Sequence, residues 1–85
     1  RSTGTLQVYP NPSNGQFTLH WIPEQPLVEQ ATLEIRTLAG QLITRRTVTA
    51  LELTEVNLQG AKAGIYYYQL RVADQAPLSG KIIIQ

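Results

Sequence analysis

His20 is the only histidine in the chain, so an imidazole-based proton relay or metal site would have to be built around it. A hydrolytic triad would need a serine and a carboxylate beside it, and Ser13, Ser79 and Asp74 are the available members. None of them sits in the strand–turn–helix pattern of a nucleophile elbow. His20 alternates with Phe17, Leu19 and Trp21, which predicts a solvated imidazole facing away from the core. Zinc takes three or four ligands, and one histidine without cysteine does not supply them. The carboxylates Glu34, Glu52 and Glu55 fall on predicted strands, with Glu24, Glu29 and Asp74 in loops. None makes the close pair in apolar surroundings that splits two pKa values for acid and base work. Asn11 to Asn14 offers Asn and Ser where a calcium loop alternates Asp and Asn. The expectation is a domain with no catalysis, no metal and no cofactor. What remains is recognition. Trp21 and Tyr67 are the aromatic candidates for stacking on a glycan, although Trp21 shares its face with Phe17 and Leu19 and so reads first as core.

The composition narrows the partners. Eighty-five residues make one domain, and a chain of that length buries only about 60–65% of its unfolded surface. The hydrophobic fraction of 42% argues against disorder, and Val, Ile, Leu, Thr and Tyr dominate it, with one Phe, one Trp and no Met. Seven basic and six acidic residues leave a net charge of +1, too balanced for a nucleic acid or an anionic membrane as partner. Arg45 and Arg46 are the one dense basic spot. Neighbours on a strand point to opposite faces, so the pair is expected to guard a solvent-facing edge rather than form a patch. Absence of cysteine excludes a disulfide framework and a thiolate site. No apolar run approaches the ~18–20 residues of a membrane span. The opening Arg-Ser-Thr-Gly-Thr reads as linker, which makes the chain an excised piece of something longer, with residues 1–5 as linker and 6–85 as the domain.

The elements that must hold any recognition residues are strands. Thr5 to Tyr9 alternates until Pro10-Asn11-Pro12-Ser13-Asn14-Gly15 stops it. Gln16 to Ile22 follows, closed by Pro23 and Pro26. Ala31 to Leu38 and Gln41 to Val48 read as a hairpin around Ala39-Gly40. The return strand is out of phase, because Leu42 and Ile43 are adjacent and face opposite ways; an edge strand or a bulge would explain it. Glu52 to Leu58 slips phase once, Ile65 to Ala73 sets Tyr66, Tyr68, Leu70 and Val72 on one face, and Ser79 to Gln85 ends the run. No segment shows a helical apolar period. About seven short alternating strands predict an all-β, seven-stranded antiparallel immunoglobulin-like sandwich, with a barrel as the alternative.

Four stretches, taken together, resemble the C-terminal sorting domain of the type IX secretion system. Val8-Tyr9-Pro10-Asn11-Pro12-Ser13-Asn14-Gly15 resembles the family's opening motif, and Leu38-Ala39-Gly40-Gln41-Leu42 its central glycine hairpin. Leu58 followed by Ala63-Gly64-Ile65-Tyr66-Tyr67-Tyr68 resembles its Gly-x-Tyr strand, and Ser79-Gly80-Lys81-Ile82-Ile83-Ile84-Gln85 its final lysine and β-branched run. The hairpin departs in one place: Thr37 stands where the family often has Asp or Asn. The resemblance implies a tag on a larger exported cargo that reaches the periplasm by a Sec signal. The tag then directs passage across the outer membrane through the type IX translocon. A sortase would cut upstream of Leu6 and join the cargo to an anionic lipopolysaccharide at the cell surface. Contacts with that machinery are expected from Pro10, Asn11, Pro12, Gly40, Gly64, Tyr66, Lys81, Ile82, Ile83, Ile84 and Gln85. The final strand is also expected to pair with a partner's sheet edge or, weakly, with a second copy. The alternative is a carbohydrate-binding or adhesion module using Trp21 and Tyr67.

Overall fold

The computed structural model describes residues 4–24, 30–58, 60–73 and 75–85. The linker positions Arg1 to Thr3, the loop positions Gln25, Pro26 and Glu29, and the turn residue Asp74 lie outside these. Seven strands form among the described residues: β1 (Thr5–Tyr9), β2 (Gln16–Ile22), β3 (Gln30–Thr37), β4 (Leu42–Thr49), β5 (Leu53–Asn57), β6 (Gly64–Arg71) and β7 (Leu78–Ile84). Each lies where alternating residues run between breakers. All pairings within the two sheets are antiparallel, in the orders β1-β2-β5 and β4-β3-β6-β7. β1 lies beside β7 and β4 beside β5 where the sheets meet, which makes a sandwich rather than a barrel.

The order departs in one respect from a constant immunoglobulin domain, where the fourth strand joins the sheet of strands one, two and five. Here β4 stays with β3 because the turn between them is too short to cross to the other sheet. The phase problem at Leu42 and Ile43 resolves as both expected explanations at once. β4 is an edge strand, and its register against β3 jumps from Ile35↔Thr44 to Arg36↔Leu42, leaving Ile43 as the extra residue of a bulge.

The core is the sum of the inward faces. Phe17, Leu19 and Trp21 of β2 meet Leu33 and Ile35 of β3, Val48 of β4, Val56 of β5, Leu70 of β6, and Ile82 and Ile84 of β7. Trp21, at 0% exposure, is the largest fully buried side chain. Tyr66 and Val72 are buried with Leu70, whereas Tyr68 is only half-buried and lies against Gly80 on the next strand. The phase slip expected in the fifth strand does not occur: the register against β2 is unbroken from Gln16↔Asn57 to His20↔Leu53, and Leu53 is an apolar residue on the outer face while Val56 turns in.

Candidate functional site

The Pro-Asn-Pro-Ser segment between β1 and β2 does more than stop a strand. Both of its X–Pro bonds, Tyr9–Pro10 and Asn11–Pro12, are cis, and the segment runs along the outer edge of β7. Asn11 donates its side-chain amide to the Lys81 carbonyl at 3.0 Å, and its Oδ1 accepts from the Ile83 amide at 3.0 Å. Ser13 then forms a parallel bridge. Its amide donates to the Ile83 carbonyl at 2.9 Å, and its carbonyl accepts from the Gln85 amide at 2.8 Å. Within the turn, Ser13 Oγ accepts from the Gly15 amide and Asn14 Oδ1 from the Gln16 amide, which fixes the entry into β2. Gly15 needs its φ of 107°, a value L side chains rarely adopt.

An open strand edge is a row of unpaired amides and carbonyls. Along β7 the Lys81 carbonyl, the Ile83 amide and carbonyl and the Gln85 amide are engaged by Asn11 and Ser13, while the register sets Ile82 and Ile84 against β6. The stretch expected to pair with a partner's strand or with a second copy is therefore filled from within the chain. Ile82 and Ile84 are core residues, and Lys81, Ile83 and Gln85 are exposed.

The other candidates gather at one end of the molecule. Gly40 has a φ of 92° and closes the β3–β4 turn, with its amide donating to the Thr37 carbonyl. Thr37 Oγ1 accepts from the Gln41 amide, so the hydroxyl does there what a short Asp or Asn side chain does in such a turn. Gly64, with a φ of 150°, begins β6 beside that turn, and the two segments line one shallow depression. Tyr66 is buried, and its phenol donates to the Lys62 carbonyl at 2.6 Å, tying down the loop before β6. Trp21 and Tyr67 are not brought together: the indole is sealed in the core, and Tyr67, 41% exposed, is on the outer face of the other sheet.

That outer face holds a cluster the sequence reading missed. Glu34, in the middle of β3, is buried, and three arginines close on its carboxylate. Arg45 approaches Oε2 with Nε at 2.9 Å and Nη2 at 2.8 Å, Arg36 donates to Oε1 at 3.3 Å, and Arg71 lies 3.5 Å from Oε1. The Arg45 hydrogen bonds, with Arg36 behind them, hold the Glu34 carboxyl below its ordinary pKa against the opposing effect of burial. The signal was available: Glu34 and Arg45 are direct cross-strand partners about the predicted hairpin, and Arg36 is two residues along the same face. The arginine pair does point to opposite faces, but neither member is the free edge guard expected of it. Arg45 is spent on Glu34, and Arg46 reaches from β4 across to the other sheet, donating to the Glu55 carbonyl at 2.6 Å. Long guanidinium side chains find such partners because they can span a strand spacing.

No group of three or more His, Asp or Glu able to hold a metal occurs among the described residues. No helix among them is long and apolar enough to cross a membrane. What the geometry defines is a two-sheet β module whose distinguishing features are a closed last strand, a glycine turn and a charged sheet face. Over residues 7–85 the sequence matches the secretion system C-terminal sorting domain family, and the chain belongs to it. Such a domain is the C-terminal sorting signal for type IX secretion, which directs export across the outer membrane. A comparison with curated proteins found no match.

Proposed function

We propose that this domain is read in the folded state, as the tag of a cargo joined ahead of Arg1, by the outer-membrane type IX translocon. The cargo crosses the periplasm, and the tag commits it to the outer membrane. A sortase then removes the tag upstream of Leu6 and attaches the cargo at the cell surface. The observation that carries this reading is the family match over residues 7–85, nearly the whole sandwich. A flexible peptide signal would need no core. Here the last strand contributes Ile82 and Ile84 to the core, and its edge is bonded to a turn some seventy residues earlier.

The reading is tested with a fluorescent passenger carrying a Sec signal and fused ahead of Arg1, expressed in a bacterium with type IX machinery. Surface delivery that is lost when Lys81 to Gln85 are removed supports it. Equal delivery of both forms contradicts it, because it separates export from the closed sandwich.

A further inference from the structure

The sheet β4-β3-β6-β7 has an outer face whose charge is unlike that of the rest of the molecule. Cross-strand register places Arg45, Glu34 and Gln69 in one row and Arg36, Tyr67 and Lys81 in another, with Arg71 beside Thr32. Among the described residues, four cations therefore share this face with one carboxylate, an excess of three positive charges. The other charged residues among those described, Arg46 and Lys62 against Glu24, Glu52 and Glu55, sum to −1. The excess is not neutralised internally, because Arg36, Arg45 and Arg71 all converge on the single Glu34 carboxylate and Lys81 stands apart from it.

The same face is not simply a solvated charged surface. Ile65 and Ile83 are direct cross-strand partners, 41% and 37% exposed, and Tyr67, 41% exposed, lies two residues along β6 from Ile65. Tyr and Arg with aliphatic neighbours are the residues that anchor protein interfaces. A hydrated polyanionic glycan would match the cations but would leave the isoleucine pair with nothing to bury against. We propose that this face is a docking surface for a protein partner presenting carboxylates around an apolar centre. Ile65, Ile83 and Tyr67 form the contact centre, and Arg71 and Lys81 lie at its rim. The Glu34 cluster holds Arg36, Arg45 and Arg71 in place, so three of the four cations are positioned before the partner arrives. This rests on the sorting role proposed above and names the chemistry of the component that reads the tag.

The test uses the passenger fusion with Lys81→Glu, with Lys81→Gln, and with Tyr67→Ser. The ion pairs of Glu34 are with Arg36, Arg45 and Arg71, and these substitutions leave all three in place; each variant is first shown by circular dichroism and thermal melting to keep the fold. Gln7→Glu on β1 of the opposite sheet is the control for charge alone. Export falling by about tenfold or more for Lys81→Glu and Tyr67→Ser, less for Lys81→Gln, and not for Gln7→Glu supports the surface. A photo-cross-linking phenylalanine derivative at Tyr67 should give a protein adduct mapped next to Asp or Glu residues and abolished by Lys81→Glu. An adduct to polysaccharide, or unchanged export of the folded variants beside an exported parent, overturns it. Failure of the parent fusion itself to be exported brings down the sorting role, and the docking surface with it.

Discussion

Asn11 and Ile83 are joined as though they were neighbours in a β-ladder, although one belongs to a turn and the other to a strand. The Asn11 carboxamide accepts from the Ile83 amide and donates to the Lys81 carbonyl, both at 3.0 Å, and so does the work of one residue of a missing strand. Ser13 continues the same line with its own backbone. Replacing Asn11 with Leu should remove both side-chain bonds and cost about 1–3 kcal/mol. The lesion is local, so amide hydrogen exchange should speed most at Ile83 and leave the β3 amides protected. Uniform acceleration across both sheets would show that the turn supports the whole fold rather than one edge.

Glu34 ties part of the domain's acid stability to one cluster. Its carboxyl titrates below its ordinary value in the folded protein, chiefly through the Arg45 hydrogen bonds. The unfolded chain then binds the proton more readily. The stabilisation is fully present above the unfolded value of about 4.3 and is lost as pH falls through the lower folded value. Thermal melting between neutral pH and about 3 should show a steep loss in the parent below about 4.3. Glu34→Gln should melt lower at neutral pH and show a shallower acid slope. Parallel curves would contradict the assignment.

Gly80 lies against a ring, and its own backbone does not call for a glycine. A Cβ built there would overlap the Tyr68 phenol, lying 2.6 Å from its Cε2. Tyr68 is the direct cross-strand partner of Gly80, and burial raises its phenol pKa. Gly80→Ala should cost about 1–3 kcal/mol by displacing that ring. In a Tyr68→Ala background the same substitution should cost much less, so the double-mutant cycle reports a coupling between the two positions. An additive cycle would place the cost elsewhere.

Trp21 and Tyr67 should behave as opposites. Trp21→Ala empties the centre of the core and should cost about 3–5 kcal/mol, a large share of the about 5–15 kcal/mol that holds a domain together. Tyr67→Ala removes an exposed ring and should change stability by no more than about 0.5 kcal/mol while reducing export. Denaturant melts of the two variants separate the roles.

Much of the sandwich was legible because strands announce themselves locally. The alternation of Phe17, Leu19 and Trp21 gave the buried face of β2, and adjacent Leu42 and Ile43 gave the bulge in β4. Membership of β4 in the β3 sheet follows from the shortness of the turn at Gly40. The relationships that were not legible are non-local. Nothing in Pro10-Asn11-Pro12 says that its asparagine will close the edge of a strand at the other end of the chain, and nothing near Gly80 says that an aromatic ring will cover it. The Glu34 cluster lies between these cases. Its Arg45 pairing follows from hairpin register, but Arg71 arrives from β6, and only the fold brings it within reach.

The central claim is that this sandwich is the sorting signal read by type IX secretion, and the most direct measurement compares two strains. The passenger fused ahead of Arg1 is expressed in a type IX-competent bacterium and in the same bacterium lacking the outer-membrane translocon, and surface fluorescence is quantified. The account predicts surface delivery in the first and retention inside the outer membrane in the second. Equal surface signal in both strains, or retention of a demonstrably folded fusion in both, would contradict it.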